Sequence, residues 1–132
     1  MKTDKICTVS FSPTRTTGKV VKAIAAGISG DGFQSIDLTY PDAFENKVFG
    51  PDELAIIGVP VYAGRVAPVA ARRLQSIKGA NTPAILVVVY GNREYEDALI
   101  ELRDLAVSAS FVPIAASAFI GEHSFSNSSF PI

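Results

Sequence analysis

The sequence has 132 residues and a mass of 14.0 kDa, which suits one domain, and its 48% apolar and 19% charged residues exclude intrinsic disorder. With 12 Lys+Arg against 13 Asp+Glu it lacks the basic surface that nucleic-acid binding needs, and no apolar stretch approaches the ~20 residues of a membrane span. There is no signal-peptide pattern, and the single cysteine, Cys7, cannot form an internal disulfide. We therefore expect a cytoplasmic domain with no nucleic-acid or membrane partner.

The first half of the chain alternates between strand and helix patterns. Residues 6–11 are apolar and predict a strand, in which Cys7 is a small core residue. A helix is predicted next, ending before Gly30, from the spacing of Val20, Val21, Ile24, Ala25 and Ile28. Alternating apolar positions over 33–40 predict a second strand, whereas 41–52 is polar and has room for a turn or two of helix at most.

The second half contains two near-continuous apolar runs, 54–61 and 84–90, which are typical of parallel strands covered on both faces. A helix beginning near Pro68 is predicted between them, with one apolar face made of Val66, Ala70, Leu74 and Ile77. A third helix over 98–109 and a last strand over 111–120 follow. The pattern predicts an α/β fold with a doubly wound, five-stranded parallel sheet in the order 2-1-3-4-5.

Residues 12–18, between the first strand and the first helix, contain no acid and four hydroxyl groups, those of Ser12, Thr14, Thr16 and Thr17. Ligands of such sheets bind beyond the carboxyl ends of the strands. Hydroxyls and turn N–H groups at a helix N-terminus favour a phosphate, whereas capping the helix, the alternative, needs only one hydroxyl. The residue sequence of the loop matches neither a P-loop nor a G-x-G-x-x-G dinucleotide-binding motif. We interpret the loop as a site for a phosphate that does not belong to a nucleoside triphosphate.

Two later loops carry aromatic side chains. Tyr62 lies in the loop over 60–68, and Tyr95 lies in the loop over 90–97, where Gly91 permits close backbone approach. Together with a phosphate loop, these tyrosines indicate a flat ring system on a phosphorylated tail. The alternative is that both are ordinary half-buried loop residues.

Several motifs resemble those of flavodoxins. Residues 11–17, Phe-Ser-Pro-Thr-Arg-Thr-Thr, resemble the flavodoxin phosphate signature, and 91–96, Gly-Asn-Arg-Glu-Tyr-Glu, resemble the loop that places a tyrosine over the flavin. More narrowly, Gly-Val-Pro-Val-Tyr-Ala-Gly-Arg-Val, Val-Tyr-Gly-Asn-Arg and Ile-Gly-Glu-His-Ser are similar to the amino-terminal half of bacterial flavodoxin/4Fe-4S ferredoxin fusion proteins. The resemblance covers about residues 5–126.

The resemblance implies a flavodoxin-like three-layer α/β/α sandwich over 1–121 and FMN as the cofactor. Residues 122–132 would be a tail or linker leading to an iron–sulfur domain that this sequence does not contain. The FMN phosphate would be held by Ser12, Thr14, Arg15, Thr16 and Thr17. The isoalloxazine would lie between two loops, lined on one side by Pro60, Val61, Tyr62, Ala63 and Gly64 and on the other by Tyr90, Gly91, Asn92 and Tyr95. Arg15 departs from the family, because long-chain flavodoxins usually have glycine there, and the chain has no tryptophan.

The implied function is that of an FMN-bound electron carrier that passes electrons to or from an iron–sulfur domain or partner, with no catalytic or metal-binding residue of its own. Two alternatives remain: a small FMN-dependent NAD(P)H reductase, and a flavodoxin-shaped interaction module without flavin. Arg65 and Arg93 lie in the flavin-side loops, so we expect a flavin potential less negative than in acidic flavodoxins, unless both are solvated or paired. Arg72 and Arg73 are predicted to lie on a solvated helix face.

Overall fold

A computed structural model describes residues 5–30, 32–40, 46–91 and 95–121. The strands and helices in chain order are β1 (Ile6–Ser10), α1 (Thr16–Ser29), β2 (Phe33–Asp37), β3 (Lys47–Val48), β4 (Leu54–Tyr62), β5 (Arg65–Val66), α2 (Pro68–Arg73), β6 (Ile77–Lys78), β7 (Thr82–Tyr90), α3 (Glu96–Ser108) and β8 (Phe111–Ile120). The tail over 122–132, which includes His123, and Asn92 and Arg93 lie outside the described residues.

The main sheet has the order β2-β1-β4-β7-β8, in which each strand is parallel to its neighbours. A short sixth strand, β5, pairs antiparallel with β4 off this path. Counting the five long strands alone, this is the predicted order 2-1-3-4-5, and the predicted α/β class is confirmed. The register places Ser10 beside Gly58 and Pro60 beside Val89, so the carboxyl ends of β1, β4 and β7 lie at the same edge. The strand order reverses between β1 and β4, which places the topological switch point there.

Two apolar cores form on the two faces of the sheet. Helix α1 covers one face with Val21 and Ala25, and α2 and α3 cover the other with residues such as Ala70 and Leu102. The alternation of side chains along each strand requires this arrangement, because successive residues of β4 enter opposite cores. Cys7 is 2% exposed in the larger core, which confirms its prediction as a small core residue.

The region between β4 and β7 differs from the sequence prediction. Helix α2 has only six residues and continues as a 3-10 turn over Leu74–Ser76, whereas Val66 belongs to β5 and Ile77 to β6. The predicted four-residue apolar face of one helix was therefore wrong. Those side chains are buried because four short elements fold over the same core, not because one helix carries them.

The segment over 46–53 also differs, because it contributes a strand and a core aromatic. Strand β3 pairs in parallel with β6 in a separate two-stranded sheet. Next to it, Phe49 is fully buried and makes an edge-to-face contact with Phe111, with ring centroids 5.4 Å apart. Within the described residues, no helix is long and apolar enough to cross a membrane, and no group of His, Cys, Asp and Glu could hold a metal ion.

Candidate functional site

The loop after β1 is built around the hydroxyl of Ser12. This hydroxyl accepts a hydrogen bond from the N–H of Gly18 at 2.9 Å, and the Ser12 carbonyl accepts one from the N–H of Arg15 at 3.0 Å. The loop is thereby folded back onto the first turn of α1. The side chain of Ser12 serves the loop itself, as a cap would, and the other three hydroxyls are not used in this way.

Several hydrogen-bond donors of the loop have no protein partner. Within the described residues, the backbone N–H groups of Thr14, Thr16 and Thr17 donate no hydrogen bond. The hydroxyl of Thr17, a residue that is only 2% exposed, likewise makes no hydrogen bond to any described residue. An unused donor set at a helix N-terminus fits a bound oxyanion, because the free N–H groups and the helix dipole both favour negative charge. No acid lies in the loop to repel one.

Arg15 occupies a strained backbone position. It lies at the N-terminal end of α1 with φ of 74°, in the left-handed region that glycine adopts without strain. This explains physically why a glycine suits this position in flavodoxins. Its side chain is exposed and reaches solvent beside the loop, where it adds positive charge.

Close packing of α1 on β4 fixes the position of Thr17. A Cβ at Gly58 would overlap Cγ1 of Val21 and lie 3.0 Å from Cγ2 of Thr17. Only glycine therefore allows α1 to approach the sheet this closely. The first turn of α1, with its unused donors, is held against the middle of β4 by this contact.

The loop after β4 is a tight hairpin rather than an irregular loop. Strand β4 continues to Tyr62 and pairs antiparallel with β5, and Ala63 and Gly64 form the two-residue turn with φ of 54° and 80°. Two positive φ values identify the turn type that suits a right-handed hairpin twist. Tyr62 is 49% exposed at its tip, whereas Pro60 and Val61 are half-buried and Val61 packs on the larger core.

The tyrosines after β7 contact each other. Tyr90 and Tyr95 stack with ring centroids 4.5 Å apart and an interplanar angle of 26°. Both are half-buried, and Gly91 between them is exposed. The structure thus brings Tyr90 and Tyr95 together at the edge where the phosphate loop and the hairpin lie. Asn92, predicted to line the same slot, lies outside the described residues.

Arg65 is paired within the protein. Its Nε donates to Oε1 of Glu101 on α3 at 2.9 Å, and the same oxygen accepts the N–H of Val66 at 3.0 Å. The hydrogen bond to Glu101 raises the pKa of the Arg65 guanidinium. Arg65, one of the two arginines expected to influence a flavin, therefore has its charge balanced by Glu101 on α3. The other, Arg93, lies outside the described residues.

Sequence reasoning missed a support behind the phosphate loop. The hydroxyl of Thr39 accepts the N–H of Ser12 at 2.8 Å, and Thr39 is itself held by Oδ1 of Asp37. Arg73 donates to the carbonyls of Leu38 and Thr39 at 2.8 and 2.6 Å. Its guanidinium also lies 5.7 Å from the centre of the Phe11 ring, so the prediction that Arg73 lies on a solvated face was wrong. No spacing signal marked it, because its partners are backbone carbonyls from another element.

The comparisons identify the fold. Solved structures align with the chain over most of its length at low sequence identity, and three illustrate the range. A flavodoxin from Fusobacterium nucleatum, solved with flavin mononucleotide bound, has a TM-score of 0.60 and 17% identity over 83% of this chain and 68% of its own. Flavodoxin 1 from Bacillus cereus has a TM-score of 0.60 and 14% identity over 89% and 86%. Rubredoxin oxygen:oxidoreductase from Desulfovibrio gigas has a TM-score of 0.64 and 15% identity over 92% and 32%. The fold is flavodoxin-like.

Sequence comparison adds no closer relative. No protein-family model matches the chain, and no curated protein matches it either. The chain spans about a third of the length of two of its structural neighbours, the Desulfovibrio enzyme and a flavodiiron core from Synechocystis. At this identity the flavodoxin-like fold is common to all of them, and the chemistry of this chain has to be argued from its own residues.

Proposed function

We propose that this chain is an FMN-binding electron-transfer domain that passes electrons to or from an iron–sulfur domain or partner. The observation that carries the proposal is the set of donors at the N-terminus of α1 that no described residue uses, above all the hydroxyl of Thr17. Their position after β1, beside the switch point of the sheet, is where phosphorylated ligands of doubly wound folds bind. A flavodoxin of the same fold, solved with FMN bound, supports the choice of ligand.

Each loop would have a distinct task. Thr14, Arg15, Thr16 and Thr17 would bind the phosphate, and Ser12 would keep the loop closed by accepting the N–H of Gly18. The hairpin with Tyr62, Ala63 and Gly64 would cover one side of the ring. Tyr90, Gly91, Asn92 and Tyr95 would cover the other, with Tyr95 either remaining stacked on Tyr90 or turning onto the flavin. The flavin supplies the redox chemistry, and the protein orients it and excludes water.

The domain arrangement is part of the proposal. Residues 1–121 would form the flavin domain, and 122–132 would lead towards the iron–sulfur partner, as the resemblance to fusion proteins implies. A reducing compartment such as the cytoplasm agrees with a lone, buried, free thiol at Cys7.

The test is a titration that separates the phosphate from the ring. Thr17→Val keeps the shape of the side chain and removes the hydroxyl, so we expect FMN affinity to fall roughly tenfold or more, the value of one charge-assisted hydrogen bond. Thr8→Val is the matched control, because Thr8 is a fully buried threonine on β1 whose hydroxyl donates to Ser35. Flavin fluorescence quenching measures both. Equal FMN affinity in the wild type and Thr17→Val would contradict the assignment of the phosphate site.

A second measurement separates the carrier from a reductase. An electron carrier loaded with FMN should stay oxidised when NADH or NADPH is added alone and be reduced once a competent iron–sulfur donor is present. Rapid bleaching by the nicotinamide nucleotide alone would instead favour the reductase, and an NADH:FMN oxidoreductase with a TM-score of 0.58 shares the fold.

A further inference from the structure

A groove beside the phosphate loop runs between α1 and β2. Its volume is about 310 Å³, at the lower end of the range of small-molecule sites. Three of the residues that line the groove, Ser12, Arg15 and Gly18, belong to the phosphate loop. The groove therefore opens directly from the proposed FMN phosphate site. A ligand in the groove could therefore be joined to the same phosphate or bind next to it.

Three cations line this groove. Arg15, Lys19 and Lys22 are spaced by four and three residues, so they lie on one face at the start of α1. All three are exposed, and within the described part of the chain none of them forms a salt bridge. Like charges at this spacing destabilise a helix. A bound anion would remove that repulsion, and the N-terminal end of the helix dipole favours it further.

A largely buried serine with a free hydroxyl supplies independent evidence for a ligand in the groove. Ser10 lines the groove, is only 5% exposed, and its hydroxyl makes no hydrogen bond to any described residue. Its Oγ lies below the first turn of α1, 3.7 Å from where a Cβ of Gly18 would be. Because Ser10 lines the groove, this free hydroxyl is available to donate to a ligand there or to accept from it.

The far side of the groove offers groups suited to a sugar. Asp37, at the end of β2, uses Oδ1 to accept the N–H of Thr39, and no described residue occupies its second oxygen. The hydroxyl of Ser35 accepts from Thr8 at 2.9 Å, which leaves its own proton to donate. A carboxylate at the end of the second strand is well placed to accept hydrogen bonds from ribose hydroxyls.

We propose that this groove is a subsite for a nucleoside monophosphate, with its phosphate on Lys19, Lys22 and Ser10 and its ribose on Asp37. The ligand is either the adenylate half of FAD, continuous with the flavin phosphate, or a free nucleotide such as AMP. In the first form the inference rests on the proposed function, because the flavin half of FAD would occupy the FMN site.

The experiment titrates FMN, FAD and AMP by calorimetry at low ionic strength into the wild type, Lys19→Gln/Lys22→Gln and Ser10→Ala. Lys78→Gln is the matched control, since Lys78 is an exposed lysine on β6. We expect both groove variants to lose FAD or AMP affinity roughly tenfold, about the effect of 1.4 kcal/mol, while FMN affinity changes little. The control should bind all three ligands as the wild type does.

The outcomes separate the two sources and the two proposals. If the wild type binds FAD more tightly than FMN, and the groove variants lose this difference, the ligand of the groove is the adenylate half of FAD. AMP that binds together with FMN and is lost in the groove variants, with FAD no tighter than FMN, identifies a free nucleotide. FMN binding with no groove-dependent binding of FAD or AMP overturns the subsite and leaves the proposed function standing. A wild type that does not bind FMN contradicts the proposed function, and the AMP titration then tests the groove alone.

Discussion

Gly58 links the stability of the fold to the geometry of the phosphate loop, and Gly58→Ala should affect both. The new Cβ would overlap Cγ1 of Val21 and lie 3.0 Å from Cγ2 of Thr17, so α1 must move by about 1 Å to restore normal van der Waals separations of about 3.5–4 Å. Inserting a methyl group into a well-packed core costs about 1–3 kcal/mol. Urea unfolding followed by circular dichroism should show a loss of this size.

Two further variants show whether the stability loss comes from the overlap at Gly58 or from a general effect of alanine. Gly27→Ala in α1 is the matched control, because nothing lies within 4 Å of its Cβ position, and it should stabilise the protein by about 0.5–1 kcal/mol. Val21→Ala alone should cost about 2 kcal/mol. In the double variant Val21→Ala/Gly58→Ala, the new methyl group fills the space that Val21 leaves. The loss in unfolding free energy should therefore be at least about 1 kcal/mol smaller than the sum of the two single losses.

The same displacement should reach the ligand. Because Thr17 carries both the contact with Gly58 and the free hydroxyl, Gly58→Ala should weaken FMN binding more than riboflavin binding. Additive energies in the double variant, or a Gly58→Ala protein as stable as the wild type, would refute the packing argument. Unchanged FMN affinity in a folded Gly58→Ala protein would refute its link to the site.

Three further predictions concern other parts of the chain. Replacing Ala63 by glycine removes the left-handed strain at φ of 54° and should stabilise the protein by up to about 1 kcal/mol in urea unfolding, whereas Ala26→Gly, in the middle of α1, should destabilise it by about 1 kcal/mol. Burial raises the pKa of the Cys7 thiol from 9.0 to about 11, so the stability advantage of the wild type over Cys7→Ala should be full below pH 9.0 and shrink as the pH rises through about 11; an advantage that does not change with pH would contradict this. Removing both partners in Arg65→Gln/Glu101→Gln should leave the reduction potential of bound FMN unchanged in a spectroelectrochemical titration, because the two charges balance each other, and a clear shift would show that the pair acts on the flavin.

The order of the sheet could be predicted from the sequence because its signals are strong and local. Runs such as 54–61 and 84–90 contain almost no polar residue, so they had to be strands covered on both faces, and the helices between them forced parallel pairing. The strand over 111–120 agrees with β8 at both ends. The loop over 12–18 could be interpreted as a phosphate site for a related reason, since its hydroxyls and helix start are adjacent in sequence.

The short elements could not be predicted because tertiary packing decides them. Val66, Ala70, Leu74 and Ile77 have helical spacing, yet β5, α2, a 3-10 turn and β6 divide them. The apolar pattern shows only which residues are buried. Several different backbone conformations can bury the same residues, so the pattern does not decide between them. Phe49 lies in a polar segment without periodicity, and only its contact with Phe111 shows that it belongs to the core.

The residues that hold the site in place could not be predicted either, because their partners are distant in sequence. Arg73 acts through the carbonyls of Leu38 and Thr39, about 35 residues earlier, and no sequence pattern links an arginine to distant carbonyls. The pairing of Arg65 with Glu101 likewise joins a hairpin to a helix 36 residues away. Long-range contacts of this kind decide whether a charge is available to a ligand.

The most direct test of the central claim compares FMN with riboflavin in a fluorescence-quenching titration of the flavin-free wild-type protein. The two ligands share the ring system and the ribityl chain and differ only in the phosphate. The account predicts FMN binding at least roughly a hundredfold tighter than riboflavin, because several N–H groups and the Thr17 hydroxyl are available only to the phosphate. Equal affinities, or no binding of either ligand, would contradict it.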